Sequence, residues 1–291
     1  MASETFTVGD LTAVVGDNAA AGEHRAGYNG LWGLTHKTEK TNLFVPTVAG
    51  FNLEHVFDGE TLDPPGRTTI FFEPRNAPMR LRKLSDREAE LHQPPTPTFH
   101  LESWTRFRFR EPDAIDVTFR CKAHQHVFRR GYVGLFWASY VNAPDDKSMY
   151  FRSPNGWMQH CTPAHNALST VRHEKDTFEM TFVKDHRDCL YRNYSPLRFG
   201  PPFFYGLFRG HVLIVMFDRT EGIRLTHSPS GGGYNKAADT TNPAWDFQYV
   251  LPKYDVMTEY GFRARLVYRE RCPRGAIVAE YEKWKASLDG K

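Results

Sequence analysis

The sequence lacks any run of the roughly 18–20 apolar residues that a membrane-spanning helix needs, so no membrane partner is expected. Its opening, MASETFTVGD, has no basic segment leading into an apolar one, and a cytoplasmic protein without a secretory signal is expected. Cysteine is scarce: Cys121, Cys161, Cys189 and Cys272 are far apart and none forms a CxxC pair. That spacing favours buried thiols in a reducing compartment over a zinc site or a disulfide framework. An excess of one charge is also missing, since 37 Lys and Arg face 34 Asp and Glu along the whole chain. No nucleic-acid partner is expected on that footprint. The basic stretch RFRFRE at 106–111 alternates arginine with phenylalanine and predicts one solvated strand face. P-loop, GxGxxG, GxSxG and HExxH patterns are all absent, which leaves nucleotide-binding, nucleophile-elbow and zincin chemistry unsupported.

What is present is aromatic. Phe, Trp and Tyr make up 14% of 291 residues, with 22 Phe and 13 Tyr, a bias that favours pleated, half-buried surfaces. Short apolar runs bounded by Pro, Gly, Asp or Asn recur throughout, among them HLESWTRFRFRE, AIDVTFRCKAHQHVF, YVGLFWASYV, TFEMTFVKD, HVLIVMFD, WDFQYVLP and YGFRARLVYRE. TFTVGDLTAVVGD reads as a hairpin turning at Gly9-Asp10. The fold class expected is all-β: a large antiparallel β-sandwich, one domain over 1–291, with a C-terminal helix. That helix is PRGAIVAEYEKWKASL, whose Ile277, Tyr281, Trp284 and Leu288 recur at helical spacing and predict a docking face. LRKLSDREAELH at 81–92 reads as a short helix or an extended charged connector.

Four segments hold residues suited to chemistry. In AGFNLEHVFDG, strand alternation places Asn52 and Glu54 on one face and Leu53 and His55 on the other. In TTIFFEPRNAPM an apolar run ends in Glu73, followed by Arg75, a way to set charges at a cleft. His124 and His126 in FRCKAHQHVF are two apart, so on a strand both project from one face and suit a divalent metal with a further ligand from elsewhere. The cofactor expected is such a metal, or none. MYFRSPNGWMQHCTPAHN offers Trp157, Gln159, His160 and His165, a mixture of indole, amide and imidazole that fits a sugar's C–H faces and hydroxyls. SGGGYNKAADTTNPAWDFQY repeats that composition with Trp245 and Asp246.

The long β-rich chain, with NLFVPTVAGFNLEHVFDG near its start and NPAWDFQYVLPKYD before its last strands, resembles the β-supersandwich carbohydrate-processing proteins. That group includes galactose mutarotases and several polysaccharide lyases. The resemblance lies in architecture and carries no residue role across; it implies a carbohydrate or glycoside as partner.

The function expected is therefore a carbohydrate-active enzyme of lyase, epimerase or glycoside hydrolase type. His55, Glu54, Glu73 and His160 would be its acids and bases, and Arg75, Trp157, Gln159, His165 and Trp245 would bind substrate. Hydrolysis would use Glu54 with Glu73; β-elimination would use His55, Arg75 and the His124/His126 pair. A non-catalytic carbohydrate-binding module is the alternative, and a β scaffold without a small ligand a third. A homo-oligomer stays open. The enzyme reading requires His55, Glu73, His124, His126 and His160 to converge on one cleft.

Overall fold

The computed structural model describes residues 2–62, 72–186 and 188–289. The opening hairpin forms as its sequence predicts. Ser3–Val8 pairs with Leu11–Gly16 around a turn at Gly9, whose φ of 58° and close approach to the Pro112 carbonyl admit no side chain. Gly30–His36 completes this small sheet.

Two larger sheets follow. One has nine strands, in spatial order Gly156–His160, Met149–Ser153, Phe203–Phe208, His211–Phe217, Glu259–Glu270, Ala114–Ala123, Leu101–Arg110, Glu88–Gln93 and Arg80–Ser85. The other has six: Tyr194–Phe199, Thr170–His173, Ile223–Ser228, Ala244–Leu251, Val133–Ala138 and Asn52–Phe57. All neighbours in both sheets are antiparallel except Thr170–His173 beside Tyr194–Phe199. The sheets face each other across an aromatic core. Trp137 stacks on Phe247 at 4.9 Å within the smaller sheet and meets Phe119 and Phe262 of the larger one edge-on at 4.7 and 5.3 Å. The architecture is the expected β-sandwich with a C-terminal helix.

The outer faces of the two sheets differ, and that difference positions the site. Leu101–Arg110 alternates buried and part-exposed residues along its length, so one face packs inward and the other meets solvent. The helix Arg274–Asp289 covers part of that outer face, burying Ile277 and Trp284 against Phe203, Ile214 and Val267. Ala244–Leu251 and Asn52–Phe57 are instead buried at every position. Loops pack over the smaller sheet, with Met180, Cys189, Leu190 and Tyr191 as their apolar contacts.

Three local expectations change. The charged stretch 81–92 is a hairpin at the sheet edge, because Ala89 and Leu91 turn inward while Arg82 and Glu90 pair outside at 3.0 Å. TFEMTFVKD forms no strand; it crosses the outer face of the smaller sheet, where Arg224 and Tyr132 donate to its Phe178 and Thr181 carbonyls. Cys121 and Cys189 are buried thiols as expected, but Cys161 is exposed. Residues 68–71 of the apolar run before Glu73 lie outside the described residues. Among the described residues, no helix is long and apolar enough to cross a membrane.

Candidate active site

Alternation along Ala244–Leu251 sends Trp245, Phe247 and Tyr249 into the core and Asp246 and Gln248 to the loop-covered face. A polar sheet face buried under loops must satisfy its own polar groups. Gln248 does so in part: its Nε2 donates to Thr170 and Thr226, both at 2.8 Å, while Oε1 has no hydrogen-bond partner among the described residues. Asp246 lines a cavity of about 310 Å³ together with Glu54, His55, Arg75, Tyr140 and His165. Phe72, Phe136 and Tyr191 contribute aromatic walls.

Glu54 reaches the cavity through a β-bulge. Leu53 faces Trp137 and His55 faces Phe136, so Glu54 is the extra residue on its strand. The Asn29 side-chain amide holds the bulge, accepting from Leu53 N–H at 3.1 Å and donating to Leu53 C=O at 2.9 Å. The bulge cancels the alternation expected from sequence, and Glu54 and His55 line the same cavity. His55 Nε2 lies 3.5 Å from Glu54 Oε2, its ring stacked on Phe136 at 5.0 Å.

One oxygen of Glu54 is fully engaged. Oε1 accepts the Tyr140 hydroxyl at 2.6 Å and Arg75 Nη1 at 2.9 Å, while Oε2 has no hydrogen-bond donor among the described residues. Burial pushes the Glu54 carboxyl above its usual range, opposed by Arg75 and Tyr140. The hydroxyl of Tyr140 is pushed well up by burial and by the Glu54 charge, so it stays a donor.

Arg75 is seated by the short helix Glu73–Asn76. Its Nε donates to Gly27 C=O at 2.8 Å and its guanidinium lies over the Tyr28 ring at 4.0 Å. The helix itself is pinned at both ends. Glu73 accepts backbone N–H groups of Thr98 and Phe99 at 2.6 and 3.1 Å, and Asn18 and Gln93 donate to the carbonyls of Pro74 and Ala77.

Asp246 accepts Ser139 N–H at 2.9 Å. Burial pushes its carboxyl well above the usual range, opposed by the Ser139 N–H bond and reinforced by the Glu54 charge. His165 Nδ1 lies 2.8 Å from Ser228 Oγ, and burial lowers its basicity. The cavity thus brings together two buried carboxyls, one of them bonded to a guanidinium and a phenol, and the imidazoles of His55 and His165.

No protein-family model and no curated protein matches the sequence. Solved structures do match. A candidate aldose 1-epimerase from Escherichia coli K12 superposes with a TM-score of 0.54 at 9% identity, covering 92% of this chain and 99% of that one. A galactose mutarotase related enzyme from Lactobacillus acidophilus gives 0.53 at 10% identity, over 92% of this chain and 97% of that one. The chain has the galactose mutarotase-like fold. At these identities the likeness is one of fold, as the sequence resemblance implied.

Within this fold the expected residues separate. Glu54, His55, Arg75 and His165 meet in the cavity. Glu73 does not line it, and both its oxygens bind backbone. His160 is buried 5.6 Å from His227 in a neighbouring polar pair. Trp245 is wholly buried and donates to Lys147 C=O at 2.8 Å. Trp157 packs on Phe203 and Tyr205 beside the C-terminal helix, and Gln159 donates to Ser148 Oγ at the sheet edge. His124 and His126 follow the end of the strand Ala114–Ala123, so no shared strand face aligns them. His124 bonds Glu102 at 2.8 Å and the His126 ring lies by Tyr254. Among the described residues no three His, Cys, Asp or Glu side chains gather to hold a metal. Convergence of the five expected residues on one cleft therefore does not occur; only His55 is there.

Tyr140 and Asp246 complete the cavity and stand outside the expected set. Asp246 carried a signal, a carboxylate inside an otherwise apolar strand. Tyr140 carried none, since a tyrosine ending an apolar strand reads as core.

Proposed function

We propose that the protein is a carbohydrate-active enzyme that moves protons at a single sugar ring, and that it interconverts the anomers of an aldose. The observation that carries this reading is the meeting, in one cavity, of two buried carboxyls in unlike surroundings. Glu54 is bonded on Oε1 by Tyr140 and Arg75 and has no hydrogen-bond donor on Oε2 among the described residues, while Asp246 accepts Ser139 N–H and has no cation bonded to it among the described residues. Burial raises both carboxyls, but Arg75 and Tyr140 favour the charged form of Glu54 alone, so Glu54 is the one assigned the base and Asp246 the acid. Glu54 Oε2 takes the proton of the anomeric hydroxyl while Asp246 gives its proton to the ring oxygen. The bond from the anomeric carbon to the ring oxygen breaks as the carbonyl forms. Rotation and the reverse transfers then close the other anomer and restore both carboxyls. Arg75 and Tyr140 orient Glu54, and Phe72, Phe136 and Tyr191 offer apolar faces to the ring's C–H bonds. A cavity of about 310 Å³ is at the small end for ligand sites, sized for one ring. The two similar structures named for aldose epimerisation or mutarotation support the same choice.

The test is polarimetry of freshly dissolved α-anomers of several aldoses with the wild-type protein. Accelerated approach to anomeric equilibrium for at least one aldose supports the reading. Glycoside cleavage without mutarotation would move it to a hydrolase using the same pair. Sugar binding without any turnover would make the protein a binding module.

A further inference from the structure

The arginines of RFRFRE take no part in the cavity. They lie on the solvent face of the nine-stranded sheet, in a second groove of about 300 Å³ walled by Trp284 of the C-terminal helix. Strand register sets their arrangement. Arg108 and Arg265 are the cross-strand neighbours of Asp116 on its two sides. Arg106 and Arg263 flank Thr118 in the same way, two residues along the strand. Strand spacing and rise put these four arginines at the corners of a rectangle of about 10 by 7 Å. Arg110 lines the same groove.

The lining carboxylates do not satisfy these cations. Glu88 and Asp116 face five guanidinium groups. Asp116 already accepts Nε of Arg110 at 3.0 Å and Nε of Arg265 at 2.6 Å. Arg263 is held through Nε by Asp218 at 3.2 Å, and Arg106 through Nε and Nη2 by Glu90. Tethering by Nε fixes Arg110, Arg263 and Arg265 yet leaves their terminal amino groups open, whereas Arg106 keeps only Nη1, which lies 3.7 Å from Glu88 Oε1. Among the described residues those of Arg110, Arg263 and Arg265 make no hydrogen bond, Arg108 makes none at all, and the Thr118 hydroxyl has no partner. Preset guanidinium donors around a hydroxyl match the acceptor geometry of a tetrahedral oxyanion.

We propose that this groove is a binding site for a phosphate or sulfate group, held between Arg106, Arg108, Arg263 and Arg265 with the Thr118 hydroxyl at one edge and Asp116 at the other. It is separate from the cavity and does not depend on the reaction proposed there. Both esters offer the same oxygens, so the chemistry alone names the pair.

The test is calorimetric titration with inorganic phosphate, inorganic sulfate, a sulfated disaccharide, a sugar phosphate and a single-stranded oligonucleotide. Ionic strength is held constant with sodium chloride. Saturable one-to-one binding of inorganic phosphate or sulfate is expected, weakened at least tenfold in both Arg108→Gln and Arg263→Gln. Arg80→Gln, whose exposed side chain lies outside the groove and shares no partner with its arginines among the described residues, serves as control and should bind as wild type. The sugar phosphate and sulfated disaccharide arms show which ester is preferred. Non-saturable binding, or equal binding by Arg108→Gln and wild type, would overturn the proposal. So would an oligonucleotide that binds through the same arginines while the inorganic ions do not. Because the Arg108 side chain has no hydrogen-bond partner among the described residues, its variant keeps the fold, and an unchanged melting temperature in chloride verifies that.

Discussion

Tyr140 donates its phenolic hydrogen to Glu54 Oε1 at 2.6 Å, from 86 residues away in sequence. The bond joins the end of one strand of the smaller sheet to the bulge in its neighbour, and it leaves the other oxygen of Glu54 for a ligand. Removing the hydroxyl should therefore disturb the base without emptying the cavity. Tyr140→Phe is expected to retain the fold and to lower turnover about tenfold or more. It should also shift the pH profile, since Glu54 loses a bond that favours its charged form. Rate measured against pH distinguishes this from mere loss of stability.

Asp246 makes a prediction about pH and stability with a definite sign. Its pKa is raised in the folded protein, so its contribution is complete below the ordinary carboxyl value and is lost as pH rises toward the folded value. Asp246→Asn keeps an acceptor for Ser139 N–H and cannot ionise. Its unfolding free energy relative to wild type should grow by about 1.4 kcal/mol per pH unit from about pH 4 upward, until the folded pKa is passed. Denaturant titrations at pH 4, 6 and 8 check it; a difference independent of pH would show that Asp246 is ionised in the fold.

His227 acts in the opposite direction. Burial, with His160 beside it, lowers its pKa to about 4. A base with a lowered folded pKa stabilises fully above the unfolded value and loses that contribution as pH falls through the folded one. Between pH 6.5 and 4 the loss should reach on the order of 3 kcal/mol. His227→Gln should lose less over that interval, as followed by urea unfolding at each pH.

Glu73 is the anchor of Arg75. Its two oxygens take the backbone N–H groups of Thr98 and Phe99 and so fix the short helix that presents the guanidinium to Glu54. Glu73→Ala should cost about 2–4 kcal/mol of stability, since hydrogen bonds to a charged group are worth about 1.5–3 kcal/mol each. Glu73→Gln, which can still accept, should recover part of that loss. Equal melting temperatures for the three proteins would contradict this role.

The parts of the fold that were legible in the sequence are those in which one period dominates. The 3–16 hairpin has a Gly-Asp turn between alternating runs, and Ile277, Tyr281, Trp284 and Leu288 mark one helical stripe. Legibility failed where tertiary contacts set the pattern. Arg80–Ser85 is an edge strand with charges on both flanks, which its neighbours and not its own periodicity hold in the sheet. Part of the cavity was within reach, because Glu54, His55, Arg75 and His165 stand out by residue type. Their grouping was not, since a bulge held by Asn29 turns Glu54 toward His55. Trp157 and Trp245 misled for the reason that made them attractive: a large aromatic is as useful to a core as to a sugar.

The central claim is that Glu54 is the base at the anomeric centre, and anomer exchange measured by magnetisation-transfer NMR on wild type and Glu54→Gln tests it most directly. The account predicts that wild type accelerates exchange for a responsive aldose, and that Glu54→Gln, with its fold intact, loses about 10²–10⁴ of that rate. A folded Glu54→Gln protein that exchanges anomers as fast as wild type would contradict it.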